Sequence, residues 1–564
     1  MKIRYNISLI ILILIAAGIL FSWNQSAAAQ EEDDRLYIYG QVQDSQFQTI
    51  QNVEVSITGP GSQSPMASTL TQADGRYALP LDLPLEKGLA IQYQRPHFKN
   101  ITIPLKEDAL LTLKNGHSLT LPMIVMDREI TLAFWVSAIV FIVVLILIAS
   151  GFLHNTLAAF AGASLLLGVS YLGAPISPDL YIFSFPQAIT YIDWNVIFLI
   201  MGMMMVIAVV ENTGIFHWLA YHAYRISSGK MWILLPVLML ITGVSSAFLD
   251  NVTTMLLMTP ITVQIALTLN ISPLVLLIPE VFASNVIGVS TLIGTPTNIL
   301  IGSFGNITFN DFLVNLTPGV LMAFIGLIIY CWFTYRDELE GEKSGSPVLL
   351  KKLEERGTIT NPDNLSKVGW IGAGMLMLFI FGERIHLLPA VTALIGSAAL
   401  LIWIRPNIEE MIGAVDWTTL VFFMSLFIVV GSIQEVGLIS MIAAQIGILI
   451  GDNLVLAMIV VTWFSALLSM IIANIPFTAA MLPVIGYLTS IIPGADSKVL
   501  FYCLSIGAAL GGNGSLIGAS ANMITAGIAE RAGYKITYKY FLKKGLPALI
   551  ITVTISLIWL FIRF

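Results

Sequence analysis

The chain has 564 residues, 57% of them hydrophobic and only 11% charged, with a mean hydropathy of +0.85. Soluble domains carry about 25% charged residues, so this composition excludes a soluble globular protein and provides apolar sequence for roughly ten membrane helices of about 20 residues each. A net charge of −7 gives no basic surface for nucleic acid, and the two cysteines, Cys331 and Cys503, both inside apolar runs, give neither a disulfide framework nor a zinc site.

The first 30 residues read as a secretory signal. Lys2 and Arg4 precede an apolar run over 7–21, and Ala27-Ala28-Ala29 offers a small-residue cleavage site. Cleaved, or kept as a signal anchor, this segment places the following domain outside the cytoplasm. Residues 31–128 are polar and alternate with period two, as in Tyr37-Ile38-Tyr39-Gly40-Gln41-Val42 and Val53-Glu54-Val55-Ser56-Ile57, with Asp74-Gly75 as a tight-turn signal. Short strands separated by turns predict a small extracytoplasmic β-sandwich. Gly40-x-Val42, Val53-x-Val55 and Asp74-Gly75-x-Tyr77 resemble carboxypeptidase-regulatory-like domains, which implies a structural or adhesive module. His97 and His117 read as ordinary surface or core residues.

From residue 131 onward the chain predicts an α-helical polytopic membrane protein. Crossing helices are expected near 131–153, 156–173, 195–211, 316–333, 367–382, 386–404, 418–435 and 545–562, with less regular units at 231–268, 273–301, 454–488 and 499–530. Cytoplasmic loops collect Lys and Arg. With residue 130 outside, the inside set is Arg225, Lys230, six basic residues across 336–367, Arg405 and five across 531–544; outside fall only Arg384, Lys498 and Arg563. This orientation puts the chain in the cell (plasma or inner) membrane, with a cytoplasmic linker at 334–366.

Residues 193–298 recur at 416–522. Asp193-Trp194 returns as Asp416-Trp417, Gly214 as Gly437, Asn251 as Asn474 and Pro260 as Pro483, each 223 positions on; Gly294-Thr295-Pro296-Thr297-Asn298 returns as Gly518-Ala519-Ser520-Ala521-Asn522, 224 positions on. The loop before Asp193 has no Lys or Arg, whereas Asp416 follows Arg405. The arm after Gly214 carries Arg225 and Lys230, whereas the arm after Gly437 carries no basic residue up to Asn453. Repeat 1 (129–333) and repeat 2 (367–564) are therefore expected to be inverted, an architecture of secondary transporters.

Polar residues interrupt both repeats at matched places. Leu249-Asp250-Asn251-Val252-Thr253-Thr254 lies halfway along nearly 40 apolar residues, which fits a re-entrant hairpin with its tip at membrane depth, and 288–298 breaks the next helix. Asn474-Ile475-Pro476-Phe477-Thr478 and Gly511-Gly512-Asn513-Gly514-Ser515, continuing to Asn522, repeat the pattern. Non-helical backbone at that depth is buried in protein or lines a water cavity. Helix N-termini there favour anions or the negative end of a polar solute; carbonyls with Asn and Thr oxygens suit Na⁺. The candidate binding residues are Asp250, Asn251, Thr253, Thr295, Asn298, Asn474, Thr478, Asn513, Ser520 and Asn522, with a Na⁺ position at Asn251 and Asn298. A carboxylate at bilayer depth costs roughly 3 kcal/mol or more and marks an ion or proton path. Asp250 is therefore expected to bind the coupling H⁺ or Na⁺, with Glu280 assisting; 223 positions on stand Ala473 and Cys503. Asp193, Asp416, Glu211 and Glu435 read as caps and snorkelling groups at helix ends, and His217 and His222 as surface residues. No nucleophile–base pair, metal motif or nucleotide loop is readable, so the chain is expected to be no enzyme and to need no cofactor beyond its coupling ion.

Ala247-Phe248-Leu249-Asp250-Asn251-Val252-Thr253-Thr254, Gly294-Thr295-Pro296-Thr297-Asn298, Asn474-Ile475-Pro476-Phe477-Thr478-Ala479 and the stretch 511–522 resemble the ion transporter superfamily, above all its arsenite-pump and pink-eyed-dilution (P-protein) branch. The resemblance covers about 131–562. It implies a homodimer, a scaffold and a mobile transport part in each protomer, and an elevator-like movement of hairpins and broken helices. It also implies that Asn251, Thr253, Asn298, Asn474, Thr478 and Asn522 are binding-site landmarks. Two departures matter: Ala473-Asn474 stands where relatives often carry Asp-Asn, and Gly294-Thr295-Pro296-Thr297-Asn298 where they often carry Gly-Asp-Pro-Pro-Asn. Both losses leave room for one coupling cation with a neutral or anionic substrate. The expected function is secondary active transport of an inorganic ion or small anion, coupled to H⁺ or Na⁺, of the arsenite-efflux or Na⁺/H⁺-antiport type. A sodium-coupled di- or tricarboxylate symporter and a passive anion channel are the alternatives.

Overall fold

Alternating and continuous apolar sequence fold into two separate units, divided between Glu129 and Ile130. The computed structural model describes residues 36–44, 49–59, 65–81, 88–115, 117–228, 230–339 and 358–564. The signal segment expected at 1–30 and residues 340–357 of the expected linker lie outside the described residues.

The first unit holds strands β1 (Leu36–Asp44), β2 (Glu54–Thr58), β3 (Pro65–Leu70), β4 (Arg76–Leu81), β5 (Ala90–Gln94), β6 (Ile101–Pro104), β7 (Leu119–Thr120) and β8 (Ile124–Met126). One sheet centres on β1, antiparallel to β4 and parallel to β7 and β8; the other runs β3-β2-β5-β6, antiparallel throughout. Period-two alternation turns Ile38, Val42, Val55, Ile57, Leu79 and Ile91 into one shared core. The Asp74-Gly75 turn forms as expected: Gly75 has φ +73°, and Arg76 N donates to Asp74 Oδ1 at 3.0 Å. A short helix, Glu107–Lys114, was not legible in the sequence. In the core the Tyr77 and Tyr93 hydroxyls meet at 2.7 Å, and burial pushes both phenol pKa values up.

In the second unit, eleven helices among the described residues are long and apolar enough to cross a membrane. Asp193 caps helix Trp194–Glu211 through Asn195 N (3.0 Å), and Asp416 caps helix Trp417–Glu435 through Thr419 N (3.1 Å). Gly214 and Gly437, at φ +78° and +86°, start the next helices in a left-handed conformation open to glycine. Each hairpin is two helices joined at a very short tip: Met231–Leu249 with Asn251–Thr268, and Leu454–Ile471 with Asn474–Ile491. These arms have 18 or 19 residues, longer than a shallow re-entrant pair requires. The broken helices are Leu274–Gly288 with Pro296–Gly305, and Val499–Gly511 with Ser520–Arg531.

The repeats interlock. Asn155–Gly168 packs on Trp417–Glu435 of the other repeat, and Pro389–Ile404 packs on Trp194–Glu211. Met231–Leu249 lies along Leu274–Gly288 just as Leu454–Ile471 lies along Val499–Gly511. The second arm of each hairpin touches the second half of the opposite broken helix. Glycine allows the close approaches: a Cβ on Gly507 would sit 2.5 Å from Thr462 O.

In the β unit, Tyr77→Phe strands the Tyr93 hydroxyl and should cost about 1–3 kcal/mol at neutral pH. The raised phenols hold their protons longer when folded than the unfolded value of about 10 allows, so this unit should lose stability as pH rises above about 10. Tyr77→Phe should shrink that alkaline loss, as thermal unfolding on both sides of pH 10 would report.

Candidate substrate and ion site

Both breaks are closed by the same bonds. In repeat 1 the Thr291 hydroxyl donates to Ala247 O at the hairpin and accepts from Gly294 N (3.0 Å). Asn298 Nδ2 donates to Val289 O (2.9 Å) and Thr291 O (2.8 Å), and Ser246 Oγ donates to Ser284 O (3.0 Å). In repeat 2 the Ser515 hydroxyl donates to Met470 O and accepts from Gly518 N (3.1 Å). Asn522 Nδ2 donates to Gly512 O (2.7 Å) and Ser515 O (2.8 Å), and Ser469 Oγ donates to Ala508 O (2.6 Å). Each asparagine thus supplies the donors that the unwound backbone has lost. The chain passes itself so closely that a Cβ on Gly294 would lie 2.4 Å from Gly288 O.

The repeats also bond to each other. Ser505 Oγ donates to Asn298 Oδ1 (2.6 Å), and Asn285 Nδ2 donates to Asn522 Oδ1 (3.1 Å) and Asn513 Oδ1 (2.9 Å). Asn251 Nδ2 donates to Asn285 Oδ1 (2.9 Å). Asn285 and Ser505 were not legible as site residues. A lone Asn and a lone Ser in apolar helices carry no spacing signal, and the turn matching Asn285 is Ala508-Ala509.

The first hairpin tip turns at Asp250, which has φ +72° and ψ +154°. Such a conformation is almost confined to glycine and costs about 1–3 kcal/mol. Bonds around the residue hold it there. Asp250 Oδ1 accepts from Val252 N (2.8 Å) and Thr253 N (2.9 Å), Oδ2 accepts from Thr253 Oγ1 (2.8 Å), and its carbonyl accepts from Thr254 Oγ1 (2.7 Å). The second tip turns at Ala473 with an ordinary φ of −50°.

A cavity of about 530 Å³ reaches the tips and breaks of both repeats, through Asp250, Thr253, Ile293, Pro296, Ile475 and Ser520. Its far wall is Ile200 to Glu211 along one helix, with Asp416 and His154 at the ends of others. Of the expected residues, Asp250, Thr253 and Ser520 line this cavity. Asn251, Thr295, Asn298, Asn474, Thr478, Asn513 and Asn522 are buried behind the lining. Thr295 Oγ1 meets Thr297 Oγ1 at 3.0 Å, and Thr478 Oγ1 donates to Asn474 O at 2.7 Å. Glu280 stands apart: fully buried, it accepts at both oxygens from Thr262 Oγ1 (3.0 and 2.9 Å). Glu211 lies in the cavity wall, whereas Glu435 is buried and accepts from the Tyr191 hydroxyl. His222 stacks on Trp218, away from the cavity. A second cavity of about 300 Å³ takes the other end of the same helix, at Asn195, Val196 and Leu199; Ile299 lines both.

Matched hairpins and broken helices in a bundle of membrane-length helices, meeting around one cavity, define a polytopic membrane transporter. The chain belongs to the citrate transporter family, whose model, described as "Citrate transporter", matches residues 139–497. An uncharacterised transporter of Mycobacterium tuberculosis is 34% identical over 431 residues, 76% of this chain and 98% of that one. The human P protein is 31% identical over 487 residues, 72% of this chain but 57% of the P protein. Among solved structures, the Alcanivorax borkumensis YdaH transporter matches with a TM-score of 0.52 at 15% identity, covering 73% of this chain and 98% of that chain, a likeness of fold alone.

Asn298→Asp and Asn522→Asp replace a locked donor with an acceptor facing two carbonyls. Each should lower thermal stability by more than the about 1–3 kcal/mol of one stranded buried group. Unfolding of the detergent-solubilised protein beside wild type checks this.

Proposed function

We propose that the protein is a secondary active transporter of an inorganic ion or small anion, coupled to H⁺ or Na⁺, of the arsenite-efflux or Na⁺/H⁺-antiport kind. The observation that carries this reading is the convergence of both hairpin tips and both breaks on one cavity. Among the described residues lining it are Glu211, Asp250 and Asp416 and no Lys or Arg. A cation is favoured there, and an anion needs one alongside it. Asp250 takes the coupling ion at the cavity wall. Glu280, whose side chain has one neutral hydroxyl partner, has nothing to offset a buried charge and serves as a proton carrier. Asn251 and Asn298 hold Na⁺; Thr295, Asn474, Thr478, Asn513, Ser520 and Asn522 supply amide and hydroxyl contacts to the solute.

Two cavities at opposite ends of helix Trp194–Glu211, parted at Ile299, support alternating access, here by an elevator-like shift of hairpins and broken helices within each protomer of a homodimer. The distribution of basic residues supports a cell-membrane location, with the β-sandwich outside and the Glu211 end of the larger cavity facing the cytoplasm. Sodium-coupled carboxylate symport is the second reading, favoured by the description of the matching family.

Proteoliposomes stepped with Na⁺, arsenite, chloride and succinate, with internal pH and charge movement recorded, test the reading. One solute should move uphill, saturably. Asp250→Asn keeps a cap acceptor, so it should fold yet reduce coupled flux at least about tenfold, or roughly 1.4 kcal/mol. Flux without uphill accumulation would make the protein a channel instead, and full coupling in Asp250→Asn would remove that residue from the mechanism.

A further inference from the structure

An amide can be turned end for end, so the direction of a chain of asparagines has to be fixed by a group that cannot turn. Asn522 is that group. Its nitrogen lies against Gly512 O (2.7 Å) and Ser515 O (2.8 Å), which only accept, so its oxygen faces Asn285. Asn285 must then aim its nitrogen at the oxygens of Asn522 (3.1 Å) and Asn513 (2.9 Å), and its oxygen accepts from Asn251 Nδ2 (2.9 Å). All four side chains are at most 5% exposed. Within this chain of four amides, two groups are left over. The Asn513 nitrogen is buried with no hydrogen-bond partner, and the Asn251 oxygen accepts no hydrogen bond.

We propose that Asn285 is the positioning residue that sets the polarity of this site. It ties the first hairpin tip to the second break, leaves Asn251 with a free carbonyl oxygen for the coupling cation, and leaves Asn513 with a free NH₂ for an oxygen of the solute. The inference rests on the coupled-transport reading. Polarity is written once: Ala508-Ala509 occupies the matching turn of repeat 2, so the two half-sites share a backbone but not a side-chain direction. Each half-site therefore has its own ligand, cation at the Asn251 end and solute oxygen at the Asn513 end.

The test is thermal unfolding of the full detergent-solubilised chain against Na⁺, with choline holding ionic strength. Na⁺ that binds the folded protein raises the wild-type midpoint with a defined half-saturating concentration. Asn285→Ala frees Asn251 to turn, and half-saturation should rise about tenfold, the scale of one lost hydrogen bond to an oriented group. Asn285 acts through Asn251, so Asn251→Ala and the double variant should share one half-saturation. A purely structural Asn285 would lower every midpoint and leave half-saturation unmoved, which overturns the proposal. Asn285→Ser, too short to bridge three amides, carries the same expectation if Asn285→Ala does not fold. A wild type blind to Na⁺ would overturn the cation assignment at Asn251 and this polarity with it, while proton-coupled transport would still stand or fall by the liposome assay.

Discussion

Backbone that leaves a helix inside apolar surroundings has no water to bond to, and each of its N–H and C=O groups must find a partner within the protein. The architecture around the site follows from how the two breaks meet that demand. Asn298 and Asn522 each cover two carbonyls, and Thr291 and Ser515 each reach across to a hairpin carbonyl. Those last bonds couple each hairpin tip to its own broken helix, so tip and break behave as one piece. Glycines at 288, 294, 512 and 518 let the strands of that piece approach. The bonds across the repeats, from Ser505 and Asn285, then make one site out of two pieces.

On this shared backbone the side chains differ where function is expected to be asymmetric. Asp250 sits in a strained conformation held by its own cap bonds, and its match Ala473 is relaxed. Glu280 is a buried carboxyl, and its match Cys503 is a buried thiol. Carboxylates and one-way amide chains are costly in such surroundings. A carboxylate at one hairpin tip alone, Asp250 against Ala473, supports the proposed single coupling cation beside a solute of modest charge.

The acidic lining of the larger cavity works in the same direction. Glu211 and Asp416 are matched to no common position in the repeats, yet packing brings both to the wall that faces Asp250. Among the described residues this lining holds three carboxylates and no Lys or Arg, which supports the cation of the proposed function over a lone anion.

The sequence by itself determined the β-sandwich, the two matched repeats, the places where helices break and most of the residues that close the breaks. Periods of two, long apolar runs and polar residues inside them are local signals, written along the chain. Only the tertiary structure decided how these residues divide their work. Asp193 and Asp416 look alike in sequence, and both cap helices, but the fold carries Asp416 alone into the larger cavity. Asn298 and Asn522 are expected ligands from the sequence, and the fold adds that their nitrogens each bond two backbone carbonyls. Asn285 and Ser505, silent in apolar helices, become the links between repeats. The positive φ of Asp250 was invisible because strain belongs to the turn and its surroundings, not to the residue type. Which end of an amide faces a ligand depends on partners more than 200 positions away, and a chain met one residue at a time does not contain that distance.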